Sequence, residues 1–177
     1  MLRSLRLGAL LALAVIPIRA EAQAKAGPNF NIAAGLTVPT SNFGDRNNTG
    51  YNLIAGIGMA QRGSALGFRA EGIYNEFDPK NGGEKSRAGG ITANVVFDLI
   101  PPSTAQSNTV YVIGGFGYYQ TRETIRFITT SDNNTGWNLG GGFKFPLSGF
   151  SAYLEARYHA VSNVDVKFIP ISFGLVF

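Results

Sequence analysis

Few side chains in this sequence could carry out chemistry, and the clearest candidates are a histidine and a nearby serine. His159 is the single histidine of the chain, and Ser162 follows three residues later. A histidine that takes the proton of a serine hydroxyl activates that oxygen as a nucleophile. On a β-strand, however, side chains three positions apart point to opposite faces, and no third residue is evident that would orient the histidine. We therefore interpret His159 and Ser162 as polar residues at the end of a strand that enters a loop, and we predict no catalytic residue.

Two pairs of opposite charge are spaced two residues apart, Arg69 with Glu71 and Glu155 with Arg157. Side chains at this spacing share one face of a strand, so each pair could act as an acid and a base. We interpret them instead as ion pairs that fill a polar interior, where opposite charges compensate one another. The predicted polar network consists of Arg69, Glu71, Lys144, Glu155 and Arg157.

The composition gives no support for a metal or cofactor. There is no cysteine, one histidine and no cluster of carboxylates. The glycine-rich runs Gly114–Gly117 and Gly140–Gly142 lack the strand-to-helix context of a phosphate-binding loop. No basic cluster is interleaved with aromatic residues, so the sequence pI of about 9.5 does not indicate nucleic-acid binding. We expect neither cofactor, nor metal, nor nucleic acid.

The last stretch, Val166–Phe177, indicates the kind of secondary structure that positions the histidine and the charged residues. Every second residue from Ile169 is large and apolar up to the terminal Phe177, while the other set is mixed and mostly small. Strict alternation predicts a strand with one apolar face. A chain end is normally frayed and solvated, so an apolar face running to the last residue indicates a lipid-facing strand that closes a barrel.

The same alternation recurs along the chain and predicts about eight strands, each near the length of a tilted membrane strand. An even number returns the carboxy terminus to the side of the amino terminus. The predicted strands are Asn29–Val38, Tyr51–Met59, Leu66–Tyr74, Gly89–Asp98, Thr109–Gln120, Gly136–Phe145, Phe150–Tyr158 and Val166–Phe177.

The charged residues occupy the strand faces opposite the apolar sets. This placement favours a barrel with lipid outside and polar side chains packed inside, because the interior of an eight-stranded barrel has room only for side chains. The aromatic residues at the strand ends are also sorted, as two interfacial girdles would be. The upper girdle is Tyr51, Tyr74, Tyr118, Trp137 and Tyr158; the lower is Phe30, Phe97, Phe145, Phe150 and Phe177.

The closing segment IPISFGLVF resembles the last strand of small eight-stranded bacterial outer-membrane barrels, the relatives of OmpA and OmpX. The resemblance extends as a pattern over residues 28–177. It implies an all-β, antiparallel, up-and-down transmembrane barrel in the outer membrane of the Gram-negative envelope. It also implies that Phe177 is an assembly signal read by the barrel-assembly machinery. Some similar barrels are lipid A deacylases, which use a His and a Ser two apart, or palmitoyl transferases.

The first residues read as a secretory leader. Met1–Ala22 has a basic start, an apolar run, a proline and a small-x-small end, with a cut after Ala22 or Ala24. Its removal takes away three arginines and one glutamate, so the formal net charge falls from +4 to +2. The barrel domain then spans residues 23–177, with no cysteine available for a disulfide.

We expect a monomeric barrel embedded in outer-membrane lipid, without catalysis, whose unknown partner binds the extracellular loops. The alternatives are a lipid A-modifying enzyme and a periplasmic lipocalin-like carrier of apolar ligands. Two features fit less well: Leu99–Asn108 is long for a periplasmic turn, and Pro170 removes one backbone donor unless a bulge absorbs it. The predicted upper loops are Thr40–Gly50, Asn75–Arg87, Thr121–Thr135 with a turn at 132–134, and His159–Asp165.

Overall fold

The computed structural model describes residues 27–60, 64–82, 84–99, 108–125 and 128–177. Most of them lie in strands. The elements are β1 (Pro28–Thr40), α1 (Ser41–Arg46), β2 (Gly50–Ala60), β3 (Leu66–Phe77), β4 (Ser86–Asp98), β5 (Thr109–Ile125), β6 (Ile128–Pro146), β7 (Ser151–Val161) and β8 (Val166–Val176). The predicted leader, Met1–Ala22, and most of the predicted Leu99–Asn108 turn lie outside the described residues.

The strands form one closed antiparallel barrel in the order β1 to β8, with β8 pairing back onto β1. Phe177 closes the ring, because its N–H and C=O bond the C=O and N–H of Phe30 at 2.8 and 3.0 Å. We call the end that holds Pro28 and Phe177 the terminal end, and the opposite end the loop end. The predicted fold class, an all-β up-and-down barrel of eight strands, is confirmed.

Burial alternates along each strand in the predicted phase. Outward residues such as Phe116 are exposed, at 77%, whereas most inward residues are polar, small or aromatic, with aliphatic exceptions such as Ile54, Ile73 and Ile113. A barrel with its apolar residues outside and its charges inside matches a lipid exterior. The core of the molecule therefore lies inside the barrel, where polar side chains are joined by a cluster of buried hydrophobic residues.

The strand ends differ from the prediction at the loop end. Thr40–Gly50, predicted as a loop, contains α1, and β7 continues past His159 to Val161. The turn predicted at 132–134 is wrong: these residues pair with 119–121, and the pairing of β5 with β6 continues as far as Ile125 opposite Ile128. The β5–β6 hairpin is longer than predicted because the alternation of residue types continues well past the predicted end of β5. The ladder therefore runs through Asn133 and Asn134 and is not broken there.

Pro170 interrupts one ladder without a bulge. β7 and β8 pair up to Ala156, lose pairing over the next two residues and regain it at His159 in the same register. Because proline has no N–H to donate, the break falls at its level. On its other side Pro170 still lies opposite Thr37 of β1.

In the described part of the chain, no helix has the length and apolar character needed to cross a membrane.

Candidate functional site

Four charged side chains meet at the centre of the barrel, contributed by β3 and β7. Arg69 Nη1 lies 2.9 Å from Glu155 Oε2 and 3.3 Å from Glu71 Oε1. Arg157 Nη1 lies 2.7 Å from Glu71 Oε2, and its Nε lies 2.7 Å from Glu155 Oε1. The side chains are at most 10% exposed. Two arginines and two carboxylates compensate each other, so the cluster is neutral overall and each member depends on the others.

Two tyrosines pack around this charge cluster. The Arg69 guanidinium carbon lies 5.6 Å from the ring centre of Tyr111 and 5.2 Å from that of Tyr153. The Tyr111 hydroxyl donates to Glu155 Oε2 at 2.7 Å. The residues opposite the tyrosines are Gly142 and Gly174, and a Cβ at either one would collide with the ring it faces. The glycines thus make room for aromatic side chains to fill the interior.

Asparagines complete the hydrogen bonding of Glu71. Asn31 Nδ2 donates to Glu71 Oε1 at 2.9 Å and Asn94 Nδ2 donates to Oε2 at 3.1 Å. Asn138 in turn donates to Asn94 Oδ1 at 2.8 Å. Sequence reasoning did not include these residues, or the two tyrosines, in the predicted network. Their inward position in the alternation is the signal that could have added them.

Lys144 does not join the four charged residues with which it was predicted. It lies opposite Thr109 at the start of β5, near the terminal end, and its Nζ is 3.4 Å from Asp98 Oδ2. Its side chain is 29% exposed. Within the described residues, the Lys144 pair is thus separate from the central cluster, and it is the more solvated of the two.

His159 points into the barrel and away from Ser162. It is 1% exposed, its Nδ1 is 2.9 Å from the Tyr119 hydroxyl, and its ring stacks on Phe168 at 5.0 Å. Ser162 is exposed in the turn between β7 and β8. The two residues are not brought together, and the histidine nitrogen that is bonded contacts a phenol.

Aromatic side chains close the interior at the loop end. Phe43 of α1 is buried and meets Phe77 edge to face at 4.9 Å, and Phe77 meets Phe168 at 5.6 Å. The α1 segment is held in place by Lys80, whose N–H donates to Arg46 O at 2.9 Å and whose Nζ donates to Gly44 O at 2.7 Å. We call Phe43, Phe77 and Phe168 the aromatic cap.

A further charged group lies on the outer wall of the barrel, just beyond the Tyr74 ring. Glu76 accepts from Lys85 Nζ at 2.8 Å, from Arg87 Nε at 2.9 Å and from the Tyr74 hydroxyl at 2.8 Å. The hydrogen bond from Lys85, followed by those from Arg87 and Tyr74, lowers the pKa of Glu76 to about 2. This carboxylate is therefore charged at any physiological pH and fixes two cations beside it.

The ten predicted girdle residues keep the outward positions of their strands, and none is buried. At the loop end Tyr51 lies 6.2 Å from Tyr74 and Trp137 lies 5.5 Å from Tyr158. At the terminal end the Phe150 and Phe177 rings stack at 6.0 Å. Rings clustered in two bands at opposite ends suit the two boundaries between headgroups and hydrocarbon.

The sequence also matches a known protein family. The model of the outer membrane protein beta-barrel domain matches residues 8–177. The chain belongs to this family. The barrel is therefore located in the bacterial outer membrane. No curated protein matches the chain.

Solved structures of outer-membrane barrels have the same fold. Neisserial surface protein A aligns with a TM-score of 0.63 at 13% identity, over 87% of this chain and 98% of that one. Ail, the attachment invasion locus protein of Yersinia pestis, aligns with a TM-score of 0.54 at 16% identity, over 86% and 99%. The outer membrane enzyme PagL aligns with a TM-score of 0.51 at 15% identity, over 84% and 98%. At these identities the likeness concerns the fold.

Proposed function

We propose that this outer-membrane barrel is a non-catalytic surface protein that binds its partner through the loop end. The supporting observation is the filled interior. The neutral cluster around Arg69 and Glu155 occupies the centre, and the aromatic cap lies over it on the loop side. Side chains committed to lipid or to interior packing are not free for a partner. Function on loops carried by a rigid scaffold is the general expectation for such an architecture.

The loop end offers a polar and ordered surface for this role. α1 is joined to the turn between β7 and β8 by a hydrogen bond from Asn42 to Asp165. α1 and the residues just after it are joined to the β3–β4 connection by backbone bonds, from Lys80 N to Arg46 O at 2.9 Å and from Asn48 N to Asp78 O at 2.7 Å. Loops connected in this way need little further ordering on binding, which lowers the entropic cost of association.

The alternative function is a lipid A-modifying enzyme, and PagL shows that this fold can carry an enzyme. Such an enzyme would need an activated nucleophile within hydrogen-bond reach of its base. His159 is instead buried, with Tyr119 on its Nδ1 and Phe168 against its ring. This surrounding is our reason for preferring the binding role.

Lipid A analysis separates the two functions. The wild type, His159→Ala and an empty vector are expressed in the same bacterial host, and lipid A is compared by mass spectrometry. We expect identical acyl chains in all three, with both proteins showing the gel shift between unheated and boiled samples. If wild type alone changes the acyl chains, the protein is an enzyme and His159 is its base.

A further inference from the structure

Two arginines lie directly opposite each other on the outer wall, at the loop end. Arg87 of β4 pairs with Arg122 of β5, and both occupy outward, exposed positions. Like charges directly opposite each other on one face of a sheet destabilise the pair. Glu76 compensates Arg87 in part, through a bond to its Nε. The Arg122 side chain makes no hydrogen bond or ion pair with the residues that the structure describes. We call Arg87 and Arg122 the arginine pair.

The arginine pair lies at or just above the height of lipid headgroups. Arg122 is four residues beyond Tyr118 of the upper girdle, and Arg87 is opposite Glu76, two residues beyond Tyr74. At about 3.4 Å per residue and a tilt of about 40°, these steps rise about 10 and 5 Å above the girdle. The headgroup layer on each side of a bilayer is about 5–8 Å thick. Long arginine side chains can bend toward that layer from above.

We propose that the arginine pair is a binding site for a phosphate group of the lipid A headgroup in the outer leaflet. Guanidinium groups bind phosphate oxygens with paired hydrogen bonds, and an anion between two arginines removes their mutual repulsion. The lipid source follows from placement, since the pair faces outward from the barrel wall, directly above the girdle. A phosphate held there leaves the acyl chains along the lipid-facing surface below.

The test uses Trp137, the single tryptophan of the chain, which lies in the same girdle on the neighbouring strand β6. The folded protein is reconstituted in brominated phosphatidylcholine, which quenches tryptophan, and is titrated with unbrominated lipid A. Recovery of fluorescence gives the association constant of lipid A relative to phosphatidylcholine. We expect wild type to prefer bisphosphorylated lipid A over both dephosphorylated lipid A and phosphatidylglycerol. Equal displacement by either of these two lipids overturns the proposal.

Variants locate the site. Arg122→Gln and Arg87→Gln should each lower the relative association constant about fivefold, the contribution of one cation at a charged lipid surface. The matched control is Lys167→Gln, which removes an outward cation at the loop end on β8, where Asp165 lies 3.6 Å from it. It should change the constant less than twofold. An equal loss in the control would mean that only net charge matters, and would overturn the proposal. The gel shift between unheated and boiled samples checks that each variant is folded. The comparison of lipids with the wild type tests the proposal even if a variant does not fold.

Discussion

Removing the charge of Glu71 should destabilise the barrel more than any conservative change elsewhere in its interior. Glu71 accepts hydrogen bonds from Arg157, Arg69, Asn31 and Asn94, and its side chain is fully buried. Glu71→Gln keeps the shape but leaves two arginines with one carboxylate, Glu155. Breaking a buried ion pair by removing one partner costs about 3–5 kcal/mol, and we expect a loss in that range.

The matched control is Lys144→Gln, which removes the other interior ion pair. Its side chain is 29% exposed and lies 3.4 Å from Asp98, so the loss should be under about 1 kcal/mol. The double variant Glu71→Gln with Arg157→Gln restores neutrality and should cost less than the sum of its single changes, by about 0.5–3 kcal/mol.

The assay is reversible urea unfolding of the refolded barrel in lipid vesicles, followed by the gel shift between folded and unfolded forms. Free energies of unfolding are compared among wild type, the single variants Glu71→Gln, Arg157→Gln and Lys144→Gln, and the double variant. A Glu71→Gln cost no greater than that of Lys144→Gln would refute the idea that a neutral charge cluster holds the interior together.

Three further outcomes are expected. Ala55→Arg, on the lipid face, should cost about 2–4 kcal/mol in the same unfolding assay, whereas Thr92→Ser, facing inward, should cost far less; similar costs would contradict a lipid-embedded wall. Removing Phe177 should lower the amount that reaches the outer membrane more than it lowers the stability of refolded protein, and normal membrane levels would refute its role as an assembly signal. Because bonds from Lys85 and its neighbours lower the pKa of Glu76 to about 2, their stabilisation is present above the ordinary pKa near 4.5 and disappears as the pH falls toward 2. The melting-temperature difference between wild type and Glu76→Gln should shrink over that interval, and a constant difference would contradict the assignment.

The barrel strands could be predicted from the sequence because lipid outside and polar packing inside impose the same alternation on every strand. In Leu66–Tyr74 and Phe150–Tyr158, the positions of the charged residues alone identify which residues face the interior. The loop end could not be predicted in the same way. Phe43 enters the interior through contacts with Phe77, a neighbour in space, and nothing in its local sequence records that contact.

The membership of the interior network was only partly predictable, because alternation gives the face of a residue and not its height. Lys144 and Arg157 both face inward, yet the pairing of β6 with β5 and β7 places Lys144 near the terminal end with Asp98. The height of each inward residue depends on the register of every pairing around the ring. Registers come from tertiary structure, so the separate Lys144 pair was not visible in the sequence.

Conductance in a planar lipid bilayer tests most directly the claim that the interior is a packed core and that function lies at the loop end. The purified wild-type barrel, inserted into the bilayer and checked by its gel shift, should give no stable conductance steps. The central cluster and the aromatic cap account for this expectation, since their buried side chains contact one another inside the barrel. Regular steps from the folded wild type would contradict the account and make the barrel a pore.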